Sequence, residues 1–79
     1  MTKLPVLIVE DDHDLLEALC ATLGLAGYTA LAADNGDAAL AILKKQLVGL
    51  VVSDVQMKHM DGFALLREIK TLNPALPVL

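Results

Sequence analysis

Cysteine is nearly absent from these 79 residues: Cys20 is the only one, beside two histidines. No intrachain disulfide can form, and no Cys/His set for structural zinc is present. Aromatic residues make up 3% of the chain, Tyr28 and Phe63, with no tryptophan. Any core must therefore be built from Leu, Val, Ile and Ala. Positive charge is also scarce. Six Lys and Arg stand against ten Asp and Glu, a net charge of −4. Such a chain has no bulk attraction for nucleic acid phosphates or for anionic lipid. No apolar run approaches the roughly 20 residues of a membrane span. The start, Met1-Thr2-Lys3-Leu4, has neither a long apolar stretch nor a small-residue cleavage site, so no signal peptide is expected. A reducing, cytoplasmic setting fits the lone cysteine best. Below roughly 80 residues a single core is marginal without staples. The chain is expected to be either unusually well packed or part of something larger.

Apolar residues are plentiful, at 56%, which disfavours disorder. Pro5 to Val9 is continuously apolar and predicts a strand covered on both faces. From about His13 to Ala26 the pattern turns helical. Leu15, Leu16, Leu19, Cys20 and Leu23 fall on one stripe, Asp12 or Asp14 caps the start, and Gly24 or Gly27 ends it, Gly27 being the better candidate for the left-handed residue past the end. Thr29 to Ala33 predicts a second strand. A second helix follows, capped by Asn35 or Asp37 and running to about Gln46, with Ala39, Leu40 and Leu43 inward. Leu47 to Ser53 predicts a third strand, Val55 to Asp61 a loop, and Gly62 to about Leu72 a third helix. That helix is expected to turn Phe63, Leu66, Ile69 and Leu72 inward. Asn73-Pro74 stops it, and Ala75 to Leu79 begins a fourth strand. Alternating strands and helices predict an α/β domain, a parallel sheet with helices on both faces.

Open parallel sheets bind ligands at the carboxyl ends of their strands. Acids gather there twice: Glu10, Asp11 and Asp12 end the first strand, and Asp54 ends the third. If these strands are neighbours, several carboxylates crowd together and repel one another. A divalent cation relieves that conflict, and Mg²⁺ suits an oxygen-only set of one or two carboxylates plus phosphate. A carboxylate beside Mg²⁺ can also act as a phosphoryl acceptor.

Val6-Leu7-Ile8-Val9-Glu10-Asp11-Asp12 and Val51-Val52-Ser53-Asp54-Val55-Gln56-Met57, followed by Met60-Asp61-Gly62, resemble the receiver domain of two-component response regulators. The likeness runs through essentially the whole chain. It implies a flavodoxin-like (CheY-like) doubly wound parallel sheet, with strand order 2-1-3-4-5 in the full domain. It implies that Asp54 accepts a phosphoryl group from a sensor histidine kinase. Asp11 matches the direct Mg²⁺ ligand, Glu10 its partner through water, and the backbone carbonyl of Gln56 a further ligand. Asp12 stays open between a place in the site and a plain helix cap. Lys58 stands where the family often has proline.

The resemblance also implies that residues 1–79 are the N-terminal portion of a single receiver domain, ending within its fourth strand. The family's Ser or Thr and Lys beyond that point are not in this sequence. The isolated chain is thus expected to bind Mg²⁺ weakly and to phosphorylate poorly or not at all. An unpaired sheet edge invites a second chain, so self-association is expected. Nucleic acid would be met only through an output domain, and the domain itself is not expected to be an enzyme. An alternative reading is a non-phosphorylated pseudo-receiver that serves only as an interaction module. An aspartyl-phosphate phosphohydrolase is a weaker match, because its Asp-x-Asp normally follows the first strand. Cys20 is read as a structural residue, His13 as a solvated helix start, and His59 as an exposed loop residue. Lys44-Lys45 is a solvated helix end, and Met57 and Met60 pack beneath the loop.

Overall fold

The computed structural model describes residues 3–53, 56–57 and 60–79, with the backbone alone at 56, 57 and 60. The elements run β1 (Val6–Val9), α1 (His13–Leu25), β2 (Ala30–Ala33), α2 (Gly36–Lys45), β3 (Leu50–Ser53), β4 (Gln56–Met57), β5 (Met60–Asp61) and α3 (Gly62–Leu72). β1 pairs in parallel with β2 on one side and β3 on the other, giving the order β2-β1-β3. Beyond β3, Val51 forms a parallel bridge with Val78, and the Leu79 N–H donates to the Val51 carbonyl. The segment expected to begin a fourth strand, Ala75 to Leu79, thus lies beside β3 as a single bridge rather than as a strand.

Alternation along β1 divides the core. Leu7 and Val9 point to one face, where they pack with Ala39 of α2, Leu65 and Ile69 of α3, Val51 and Leu76. Val6 and Ile8 point to the other face, where Leu16 of α1 covers them with Leu19, Cys20 and Leu23 beside it. All four β1 residues are buried, as continuous apolarity requires of a strand covered on both faces.

The helix ends follow from local chemistry. The Asp12 carboxylate accepts from the Leu15 N–H at 3.1 Å, and the Asn35 side-chain oxygen accepts from the Ala38 N–H at 2.8 Å. Asp61 accepts from the Phe63 N–H at 2.9 Å and opens α3. Gly27 has φ +91°, a left-handed conformation that a side chain would strain.

Four expectations need correction. The third strand starts at Leu50 rather than Leu47, which is 74% exposed. The segment read as a loop contains a short antiparallel pairing, Gln56 with Asp61 and Met57 with Met60. In α3, Leu65 is fully buried, whereas Phe63 is 64% exposed and Leu72 44% exposed. Nine residues at 3.6 per turn place Phe63 and Leu72 on opposite sides of the helix, so both cannot face the core. In α1, Leu15 sits at the rim of the apolar stripe and is exposed.

Candidate functional site

Each parallel strand here hands over to a helix that runs back across the sheet. Strand carboxyl ends and helix amino ends therefore share one edge, where the helix dipoles are positive. Glu10, Asp11 and Asp12 stand at that edge. Val9 and Ser53 are register partners, so β1 and β3 are neighbours, the condition on which the acidic site depended.

Glu10 continues the ladder, its N–H donating to the Ala33 carbonyl at 3.0 Å. It is the one charged residue buried among the described residues, at 6% exposure. Its Oε2 accepts from the Asp12 N–H at 3.1 Å. This bond folds the turn after β1 over the Glu10 carboxylate. Asp11 lies between them and is half-buried. Asp12 is exposed and caps α1, which is the plainer of its two readings.

Asp54, Lys58 and His59 lie outside the described residues. Gln56 is described in its backbone only, paired with Asp61. Among the described residues, no three His, Cys, Asp or Glu side chains are grouped closely enough to hold a metal ion. The donor chemistry nevertheless fits a hard cation. Glu10 and Asp11 offer only oxygen, and they follow β1 directly beside the end of β3. A small hollow of about 70 Å³ opens next to that end, between Ser53, Gly62, Leu66 and Leu79. The two larger hollows, of about 490 and 290 Å³, lie between α2 and α3, away from these acids.

One contact at this edge went unread. His13 Nε2 lies 2.9 Å from Asp34 Oδ2, joining the start of α1 to the turn after β2. The Asn35 side-chain amide donates to the other oxygen of Asp34 at 2.7 Å. The hydrogen bond with His13 first, and that from Asn35 second, hold the Asp34 carboxyl below its ordinary pKa. The partners are 21 residues apart, and no local pattern connects them. The only available signal was topological: two neighbouring strands end at Val9 and Ala33, and each leads into a polar turn. Cys20 packs against the α1-side cluster, in keeping with a structural role. No helix among the described residues is long and apolar enough to cross a membrane.

Residues 6–79 match the family model described as response regulator receiver domain. The chain is 51% identical over 74 residues to the response regulator protein FleR of Pseudomonas aeruginosa, covering 94% of this chain and 16% of that protein. It is 45% identical over 77 residues to the transcriptional regulatory protein ZraR of Escherichia coli, covering 98% of this chain and 18% of that protein. The chain thus spans less than a fifth of the length of either relative. Among solved structures, a response regulator receiver protein from Pseudomonas putida superposes with a TM-score of 0.89 at 32% identity, over 99% of this chain and 67% of that one. The response regulator TrrA of Thermotoga maritima, in complex with Mg²⁺-BeF, gives a TM-score of 0.88 at 26% identity, over 96% and 66%. TrrA was also solved in complex with the histidine kinase ThkA, with the same identity and coverage. With its parallel sheet in the order β2-β1-β3, its acidic turn after β1 and this match over residues 6–79, the chain belongs to the response regulator receiver domain family.

Proposed function

We propose that this chain accepts a phosphoryl group on Asp54 from a sensor histidine kinase, with Mg²⁺ held by the oxygens around it. One observation carries the reading: Val9 and Ser53 are register partners. The residues that follow them in sequence are Glu10 and Asp54, so each of two neighbouring strand ends is followed in sequence by an acid. In this reading Asp11 binds the ion directly and Glu10 acts through water. Asp54 and the Gln56 backbone carbonyl complete the set. Bound Mg²⁺ would offset the charge on the oxygens of the transferring phosphoryl group. The Asp54 carboxylate supplies the electron pair of the new P–O bond. The P–N bond to the kinase histidine breaks, and its electron pair stays on the ring nitrogen. Glu10 and Asp12 keep the turn shaped, because the bond between them fixes the backbone on both sides of Asp11.

The complexes of TrrA with Mg²⁺-BeF and with a histidine kinase support both the ion and the partner. Residues 1–79 would form the first part of one receiver domain, with strand order 2-1-3-4-5 when complete. The coverage of about two-thirds of the solved receivers agrees with this. Likeness to ZraR supports a role in transcription regulation, exerted through a separate output region. A cytoplasmic setting goes with this reading.

The test is transfer from a radiolabelled acyl phosphate in the presence of Mg²⁺. We expect a low yield of label, confined to Asp54, dependent on Mg²⁺ and absent from Asp54→Asn. Label on another residue, or unchanged label in Asp54→Asn, would refute the assignment.

A further inference from the structure

The apolar groove between α2 and α3 plays no part in the acidic site. Its two hollows, of about 490 and 290 Å³, meet at Lys44 and Leu72. Leu40 and Leu72 line the larger one, and Leu47, 74% exposed, borders the smaller. The larger volume is in the range of specific ligand sites, about 300–1,000 Å³. It is an open trough between two helices rather than an enclosed cavity, a shape suited to a third helix.

Charge indicates what kind of helix. Lys44 of α2 and Arg67 of α3 flank the trough, with Glu68 as its one acid. Lys45 stands beside Lys44 in the last turn of α2. Lys70 is already committed, donating to the Leu76 carbonyl. In a chain of net charge −4, this is where positive charge collects beside exposed leucine. The acidic turn after β1 lies at the opposite end of the sheet, so a negative partner is repelled there and attracted here. An anionic membrane fits poorly, because a trough cannot lie flat on it and the net charge opposes approach.

We propose that the α2–α3 groove docks an acidic amphipathic helix of a partner protein. Leucine-like side chains of that helix would fill the trough at i, i+4 and i+7, and its carboxylates would meet Lys44 and Arg67. The surface is built from residues other than Glu10, Asp11 and Asp54, so the proposal does not depend on phosphoryl transfer.

The probe is a fluorescein-labelled synthetic helix with leucine at those spacings and glutamate elsewhere. Its control carries lysine in place of glutamate. Binding is read by anisotropy and located by amide shifts of the ¹⁵N-labelled protein. The acidic helix should bind, weaken as salt rises, and move the amides of Leu40, Arg67 and Leu72. The double variant Lys44→Glu/Arg67→Glu should bind at least about tenfold more weakly, with unchanged amide dispersion. Arg67→Gln serves as a milder variant and should weaken binding in the same direction. Four outcomes overturn the proposal: no binding, equal binding of the lysine helix, shifts confined to other residues, or undiminished binding in both variants. Concentration-dependent shifts of the groove without any peptide would also overturn it, because a second copy would then be the occupant.

Discussion

At one end of the sheet stand Asp12, Asn35 and Asp61, each capping a helix, with Asp14 and Asp37 in first turns. At the other end stand Lys44, Lys45 and Lys70, all in last turns. Both sets complement the helix dipoles, and both follow from a topology in which every helix begins where a strand ends. The difference lies in what is added. The first end also gathers Glu10 and Asp11, more acid than capping requires. The second adds Arg67 and exposed leucines. Charge is sorted by the fold, and each end carries a surplus over what the helix ends require.

The largest expected effect should not distinguish the two ends. Leu65 is fully buried in the cluster beneath α2 and α3. Leu65→Ala is expected to cost about 2–5 kcal/mol by urea unfolding. A loss below 1 kcal/mol would mean that this cluster is loosely packed. The ends should separate at the next step. Asp11→Asn is expected to weaken Mg²⁺ binding by more than about tenfold, measured calorimetrically, whereas Lys44→Glu leaves it nearly unchanged. Asp12→Ala removes only a cap and should cost about 1 kcal/mol of stability. It should weaken Mg²⁺ binding far less than Asp11→Asn. Equal losses from the two would return Asp12 to the site.

The smallest effect concerns the His13–Asp34 contact. The carboxyl of Asp34 titrates below its ordinary value in the folded chain. Its contribution is therefore present above the unfolded-state pKa and is lost as pH falls through the folded-state one. The contact is on the surface and the effect is small. Thermal melts of wild type and Asp34→Asn should differ slightly near neutrality and converge in acid. A gap that widens in acid would reverse the assignment.

Most of the frame was legible because it is local. The unbroken run from Val6 to Val9, the caps at Asp12 and Asn35, and the left-handed Gly27 are each decided by a few adjacent residues. The acidic pair Glu10-Asp11 was legible for the same reason. The neighbour relation of β1 and β3, by contrast, came from the resemblance and from the structure, since no local pattern encodes strand order. Leu65 was missed because α3 carries two interlaced apolar sets. A strict spacing of three drifts around a helix of 3.6 residues per turn, so Phe63 and Leu72 diverge. The β4–β5 pairing was missed because Met57-Lys58-His59-Met60 contains none of the Asn-Gly or Asp-Gly signals of a tight hairpin. The His13–Asp34 contact depends on two turns brought together by β1–β2 pairing, and short-range patterns do not carry such information.

The proposed metal-dependent site unites, at one end of the sheet, the acids that follow β1 and β3 in sequence. Paramagnetic broadening by Mn²⁺, used in place of Mg²⁺ and read on amide signals, tests it most directly. Amides of Glu10, Asp11 and Asp12 should broaden together with those of Ser53 and Asp54 at low Mn²⁺. Amides near Lys44 and Arg67 should stay sharp, and added Mg²⁺ should reverse the broadening. Broadening confined to the turn after β1, or spread evenly over the acidic residues, would contradict it.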